Sequence, residues 1–344
     1  MTAVRLALIG AGTIGKRHLE AIASTPAARL VAIADPVAEN RDLAAGCGAE
    51  GFADFDAMLD AIRPDGVIVA TPTEHHLAPA AAALRTGAHV LVEKPITATL
   101  AEADTLTALS AETGRHVLVG HHRRYYPVVE KARDLVRGGA LGDLVAVTGQ
   151  WTTLKPDAYF DADGRRRRAA GPVLTNLIHE MDLLRTICGE VTHVLAQTSG
   201  HIRGHEKEET AALVLTFECG ALATFILSDA TPSPWTWEYG TGETPAFPRS
   251  GQNSWRFMGT NAALEFPNLV LWRTADGQRG WTHAMHPQAL PLDLGDAFVN
   301  QIRHFCAVIE GTETPRITAA DATRSLRATL AVFEAAQTGR RIEV

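Results

Sequence analysis

Through the first third of the chain, short apolar runs alternate with longer segments that mix apolar and polar residues at helical spacing. The runs fall at 4–9, 30–34, 66–70, 88–92 and 116–119 and are rich in Val, Ile and Leu. The helical segments, rich in Ala, Leu and Glu, fall at 14–23, 38–45, 54–62, 75–86 and 100–113. A strand buried on both faces has no polar side to show, so this alternation predicts a parallel sheet covered by helices on both sides. Past about residue 120 the pattern changes. Runs near 143–153, 191–200, 210–218, 221–229, 253–258, 262–266 and 269–273 are longer and alternate more regularly. They follow one another through turns, which predicts an antiparallel or mixed sheet. Helices are predicted around 125–137, 173–187, 296–310 and 319–337. The domains expected are 1–123 and 124–344, with the C-terminal helix able to pack back on the first. No repeat, low-complexity tract or linker composition marks the boundary, so it is a change of architecture and not a loose hinge.

Composition narrows the classes. A length of 344 residues suits two domains at a typical ~150 residues each. The 46% hydrophobic content supplies well-buried cores. A net charge of −7 argues against a nucleic-acid partner, whose phosphates require a basic surface. No apolar run approaches the roughly 18 residues of a membrane span, and the N-terminus leads straight into a strand without a cleavable signal. Cys47, Cys188, Cys219 and Cys306 form no C-x-x-C pair. Free thiols in a reducing cytoplasm are expected, and no zinc site. His201, His205 and Glu206-Lys207-Glu208-Glu209 read as a polar connection between strands, not a metal cluster. His283 and His286 read as loop residues.

The most specific motif lies at the start. The run Val4–Ile9 breaks into Gly10-Ala11-Gly12-Thr13-Ile14-Gly15, a helical segment follows, and the second run ends on Asp35. A G-x-G-x-x-G spacing alone is weak. Placed between strand and helix, with an acidic residue twenty positions past its last glycine, it is the dinucleotide-binding fingerprint. Gly10 makes the tight turn, Gly12 admits a pyrophosphate, and Gly15 lets helix and strand approach. Thr13 and Ile14 open the helix whose N-terminus faces the phosphates. The Asp35 carboxylate is expected to accept both ribose hydroxyls and to repel a 2′-phosphate, and Pro36 follows where Arg or Ser would welcome one. NAD is therefore favoured over NADP.

Three further segments carry candidate chemistry. Glu93-Lys94-Pro95 follows an apolar run, and ligands of open α/β sheets bind beyond the carboxyl ends of the strands. Lys94 there is either a cleft residue or a surface lysine opening a loop. Asn176, His179 and Asp182 fall three apart in a helix opened by Pro172, which predicts one polar ridge on an otherwise apolar helix. His179-Glu180 does not begin a zinc-protease motif, because Leu183 stands at the second histidine position. Gly120-His121-His122-Arg123-Arg124-Tyr125-Tyr126 loads a strand end with groups suited to a polyhydroxylated or anionic ligand, or forms a solvated turn.

Together these segments resemble the glucose–fructose oxidoreductase/inositol dehydrogenase (Gfo/Idh/MocA) family. The resemblance runs over nearly the whole chain. It rests on the glycine motif, Thr71-Pro72 with His76, Glu93-Lys94-Pro95, residues 120–124 and the His179/Asp182 helix. A subgroup pattern adds Gln150-Trp151, Lys155-Pro156-Asp157, Tyr159-Phe160 and Pro234-Trp235 with Trp237-Glu238. The resemblance implies a Rossmann domain followed by an α/β domain whose large open, mostly antiparallel sheet mediates homo-oligomerisation. It also implies NAD(P)-dependent oxidation of a secondary alcohol on a sugar, cyclitol or related polyol. Thr71, Pro72, His76, Glu93 and Lys94 would then join the cofactor site. His122, Arg124, Tyr159, Asn176, His179 and Trp235 would meet the substrate.

Two departures stand out. Many family members carry Asp four residues before the helical histidine; this chain has Thr175 there, with Asn176 next to it. Where subgroup relatives have Trp-Arg before a glycine run, this chain has Gly164 and then Arg165-Arg166-Arg167-Arg168. Those arginines read as a solvated loop or as oxyanion contacts. In the mechanism expected, His179 is the general base, since free histidine titrates at about 6.5. Lys94 stabilises the developing alkoxide, and Asn176 orients the substrate or His179. An NAD-retaining glycosidase or lyase, using transient oxidation and elimination, and a non-catalytic NAD sensor are the competing readings.

Overall fold

The computed structural model describes residues 3–244, 247–275, 278 and 280–344. The chain divides into two compact units. One comprises Met1–Tyr125 with Asp296–Leu326, and the other Tyr126–Gly295 with Arg327–Val344. The first boundary lies close to the expected division at residue 123, and Asp296–Leu326, expected in the second domain with the C-terminal helix able to pack back on the first, groups with the first unit.

The first unit holds β1 (Val4–Ile9), α1 (Thr13–Ala23), β2 (Ala28–Ala34), α2 (Ala38–Arg41), α3 (Leu43–Gly46), β3 (Glu50–Phe52), α4 (Phe55–Ile62) and β4 (Gly66–Val69). It continues with α5 (Leu77–Arg85), β5 (His89–Val92), α6 (Leu100–Thr113) and β6 (Val117–Val119). All six strands are parallel, in the order β3-β2-β1-β4-β5-β6. The order reverses between β1 and β4, where the strand ends leave a crevice. Strand β3 had no sequence signal, being three residues long and mostly exposed. The helix expected at 38–45 is instead two four-residue pieces.

The return segment completes this core. Asp296 accepts the backbone N–H groups of Phe298 and Val299 at 3.0 and 3.1 Å, which caps the helix Ala297–Ile309 (α10, below). Phe298, Ile302, Phe305 and Val308 of that helix join the core of Leu6, Leu8, Ile33, Ile68 and Leu91. Each such side chain contributes about 1.5–3 kcal/mol on burial. Gly66 makes room for it: a Cβ there would lie 2.6 Å from Ile309 Cδ1.

The second unit begins with α7 (Pro127–Arg137), β7 (Leu144–Thr152), α8 (Ile178–Cys188), β8 (Val191–Ser199), β9 (Thr210–Phe217), β10 (Leu222–Ser228) and α9 (Trp237–Thr241). Strands β11 (Trp255–Gly259), β12 (Ala263–Phe266), β13 (Val270–Thr274) and β14 (Met285–Ala289) follow. The chain then forms α10, α11 (Ala319–Thr338), within which the division between units falls, and β15 (Ile342–Glu343). Nine strands form one sheet in the order β14-β13-β12-β11-β7-β10-β9-β8-β15, antiparallel except for β10 against β7. Strict alternation in β9 and β10 buries one face, where Leu213, Leu215, Phe225 and Leu227 pack. Trp255 stacks on Phe225 at 4.6 Å.

Candidate functional site

In the first unit, the glycine loop borders a cavity of about 800 Å³ at the carboxyl ends of β1, β2 and β4. Gly10, Gly12, Thr13, Ile14, Asp35, Thr71 and Pro72 all line it, as the sequence motif requires. The glycines differ in what they permit. Gly10 sits at φ +88°, and a Cβ there would lie 2.7 Å from the Ala70 carbonyl oxygen. A Cβ on Gly15 would strike the Gly10 carbonyl, so Gly15 closes the helix onto the loop. A Cβ on Gly12 would meet nothing within 4 Å. Its place is open space at the N-terminus of α1, which has no side-chain cap. Backbone N–H groups left without intrahelical acceptors suit a pyrophosphate, so the residues present fit a dinucleotide.

Asp35 is held by the loop it serves. Its Oδ2 accepts the Ala11 N–H at 2.8 Å and the Asn40 amide at 3.3 Å, and its Oδ1 accepts the Val37 N–H at 2.8 Å. With about four acceptor positions on a carboxylate, one remains, on Oδ1. Asp35 lines the cavity, where the expected ribose contact would be made.

Several residues expected at the ligand brace the loops around the cavity. His76 is buried, and the adjacent His75 lines the cavity in its place. The His76 ring nitrogens lie 2.9 Å from the Thr71 carbonyl and 3.0 Å from that of Pro95, fastening the loop after β4 to the loop after β5. Glu93 is also buried, 2.8 Å from His18 Nε2, and its Oε2 accepts the Lys94 backbone N–H at 3.2 Å. Burial works to raise the Glu93 pKa. The His18 hydrogen bond and the charges of His18, His122 and Lys94 outweigh it and bring the carboxyl down to about 2. Gly120 leaves room for this carboxylate, 2.7 Å from where a Cβ would stand. Lys94 follows β5, half-buried, on that anchored backbone. His122 stacks on Phe298 at 4.4 Å inside the first unit, and Arg124 pairs with Asp321 at 2.6 Å. Both have these partners within the first unit.

In the second unit, residues Ile178 to Arg185 of α8 are all buried. The ridge expected on an apolar helix is therefore only part of a helix buried all round. Its polar members include Glu180, which accepts the Trp255 indole N–H at 2.8 Å. Residues Val173–Leu177 form a π turn ahead of α8. The i→i+5 turn breaks the angular spacing that pure α geometry would give Asn176 and His179. His179 sits in the first turn of α8, 8% exposed. Glu208 Oε1 accepts the Val173 N–H at 2.9 Å, and Gly171 is small because Glu208 lies against it.

A charged cluster beside Asn176 was missed. Asp229, fully buried, receives Lys207 at 2.7 Å, Arg203 at 2.9 Å and Lys155 at 3.4 Å. Lys207, Glu208 and Glu209 are buried, so the run read as a polar connection is an internal ion network. Lys155 Nζ also lies 3.3 Å from Asn176 Oδ1 and faces the rings of Trp151 and Tyr159. The Arg165 guanidinium lies 4.2 Å from the Tyr159 ring centre, and that of Arg168 lies 5.4 Å from the Phe333 ring. Trp235 is 41% exposed, while Trp151 and Trp237 are buried and donate to Glu238 and Glu243. Among the described residues no group of three or more His, Cys, Asp or Glu could hold a metal, and no helix is long and apolar enough to cross a membrane.

Residues 4–121 match the profile described as "Oxidoreductase family, NAD-binding Rossmann fold", and residues 129–265 match the Gfo/Idh/MocA C-terminal domain. The chain belongs to the Gfo/Idh/MocA oxidoreductase family. It has that family's NAD-binding Rossmann domain and second, mostly antiparallel sheet. Among curated relatives, the rhizopine catabolism protein MocA of Rhizobium meliloti is 34% identical over 191 residues, covering 55% of this chain and 59% of its own. The chain thus spans less than two thirds of that relative. The 1,5-anhydro-D-fructose reductase of Ensifer adhaerens is 27% identical over 348 residues, covering 99% and 98%. The WlbA dehydrogenase of Bordetella pertussis, solved with NADH and UDP-GlcNAcA, superposes with a TM-score of 0.80 at 22% identity, covering 100% and 99%. At that identity the likeness shows the fold.

Proposed function

We propose that the protein is an NAD-dependent dehydrogenase that oxidises a secondary hydroxyl of a sugar, cyclitol or related polyol, or reduces the corresponding ketone. The observation that carries this reading is the open space at Gly12, at an uncapped helix terminus beside Asp35, in a chain that also keeps Lys94 and His179. A non-catalytic sensor would need the first and not the second. NAD, when bound, supplies the hydride acceptor. His179, held in the first turn of a buried helix, is assigned the hydroxyl proton. Lys94, on a backbone anchored by Glu93, is assigned the oxygen that gains charge as the proton leaves. Trp235, exposed, is assigned the apolar face of the sugar ring. The Asp35 carboxylate, which lines the cavity and would repel a 2′-phosphate, favours NAD over NADP.

The oligomer belongs to the same reading. Strand register puts Leu195, Val214, Leu222 and Ile226 on one exposed sheet face, and a second copy covering it is the occupant we infer. A reducing cytoplasm agrees with four unpaired cysteines.

A screen of sugars, inositols, anhydrosugars and sugar acids with NAD, followed at 340 nm, tests the reaction. In the variants Lys94→Ala and His179→Ala, kcat should fall by orders of magnitude while NAD affinity stays within about twofold. If His179→Ala leaves both rate and pH profile intact, the base is elsewhere. Loss of NAD affinity alone in Lys94→Ala would make Lys94 a cofactor residue.

A further inference from the structure

The charged cluster around Asp229 neutralises its three cations unequally. Lys207 and Arg203 lie at 2.7 and 2.9 Å from the carboxylate, with side chains 1% and 10% exposed. Each also donates to a backbone carbonyl. Lys155 has the longest contact, 3.4 Å, and the most exposed side chain of the three, 14%. Its backbone is fixed at both ends: its N–H donates to the Asp229 carbonyl at 3.0 Å, and its carbonyl accepts from Arg203 at 3.1 Å. The rings of Trp151 and Tyr159 flank the ammonium. Burial, followed by the charge of Lys207, outweighs Asp229 and Glu238 and pulls the lysine below its ordinary range. Of the three cations, Lys155 is thus the one farthest from Asp229 and the most open to an incoming anion.

Two neighbours point the same way. An ammonium only donates, so its contact at 3.3 Å fixes the Asn176 oxygen toward Lys155. The Thr175 hydroxyl faces the same oxygen at 2.9 Å. With its oxygen turned to Lys155 and Thr175, the Asn176 amide keeps its NH₂ group as a donor. Arg165 rests on the Tyr159 ring that Lys155 also faces, and among the described residues it pairs with no carboxylate. The Lys155 ammonium and the Arg165 guanidinium thus both face the Tyr159 ring, and Asn176 contacts the former.

We propose that Lys155, Asn176 and Arg165 form a subsite for an oxyanion on the substrate, so that the enzyme's polyol is an acid: a sugar carboxylate or a sugar phosphate. The substrate class rests on the dehydrogenase reading above; the binding of the anion does not. Full-length protein with NAD is titrated by calorimetry with D-gluconate, D-glucuronate and D-glucose 6-phosphate, each against D-glucitol and D-glucose. At least one anion is expected to bind tenfold or more tightly than the neutral compounds, and the carboxylate and phosphate arms identify the source. Lys155→Gln should abolish that preference and Lys155→Arg should restore part of it. Arg165→Gln, at an exposed position, should reduce the preference about threefold. Equal binding of anionic and neutral compounds, or a preference unchanged in both Lys155→Gln and Arg165→Gln, overturns the subsite. Anion binding with no change at 340 nm for any compound of the wider screen would leave the subsite standing and count against the polyol dehydrogenase reading. NAD reduction by neutral polyols, with no anion preference, would do the reverse.

Discussion

The two units prepare for their ligands by opposite means. In the first, recognition is mostly backbone: glycines that leave space, an uncapped helix terminus, and a carboxylate positioned by main-chain N–H groups. In the second, the candidate groups are side-chain charges held in balance around the buried Asp229. A backbone cradle tolerates sequence change wherever no Cβ is added at the loop. A charge cluster depends on each member, because a buried ion that loses its partner costs more than the pair contributed. A fixed cofactor matched to variable substrates would favour this division.

The comparison can be broken at its most charged point. Asp229→Asn leaves Lys155, Lys207 and Arg203 without their shared carboxylate, and should destabilise the chain by about 3–5 kcal/mol in urea denaturation. The control Asp163→Asn, at a carboxylate 86% exposed, should cost less than about 0.5 kcal/mol. Equal stability of the two variants would mean that packing, not charge, holds the cluster.

Glu93, a buried charge in the first unit, gives a pH test. The Glu93 carboxyl titrates near 4.5 when unfolded and about 2 when folded. Between these values the unfolded chain binds more protons, so stability falls as pH drops through the window. Above it the full contribution, on the order of 2–3 kcal/mol, is present. Urea midpoints of wild type and Glu93→Gln should therefore converge as pH is lowered from 6 to 3. A constant difference would remove Glu93 from the acid response.

Gly12→Val sharpens the backbone side. Since a Cβ at Gly12 meets nothing within 4 Å, the thermal midpoint should stay within a degree or two. NAD affinity should fall at least tenfold, about 1.4 kcal/mol. A variant that binds NAD normally would show that the pyrophosphate does not approach there.

Legibility in the sequence followed the same divide. The parallel sheet was readable because strands covered on both faces must be apolar throughout, and the glycine motif because its chemistry lies within six consecutive residues. Strand β14 was not: Met285 to Ala289 are all exposed and include Pro287, so neither alternation nor an apolar run marks them. The π turn ahead of α8 has no signature in residue type. Lys155 appeared only as part of a subgroup pattern, since its partners at 176, 203, 207 and 229 are distant in sequence and only folding brings them together. The internal partners of His122 and Arg124 were not legible, because a strand end rich in polar residues looks the same whether it faces a ligand or pairs internally.

The return of Asp296–Leu326 to the first unit bears on how the protein is made. The ribosome delivers residues 1–125 first, yet the face of β1 and β4 that α10 covers stays bare until residue 309 has emerged. At roughly 5–20 residues per second, about 180 further residues keep that apolar face waiting for some 10–40 seconds, a period in which a chaperone would be its natural cover.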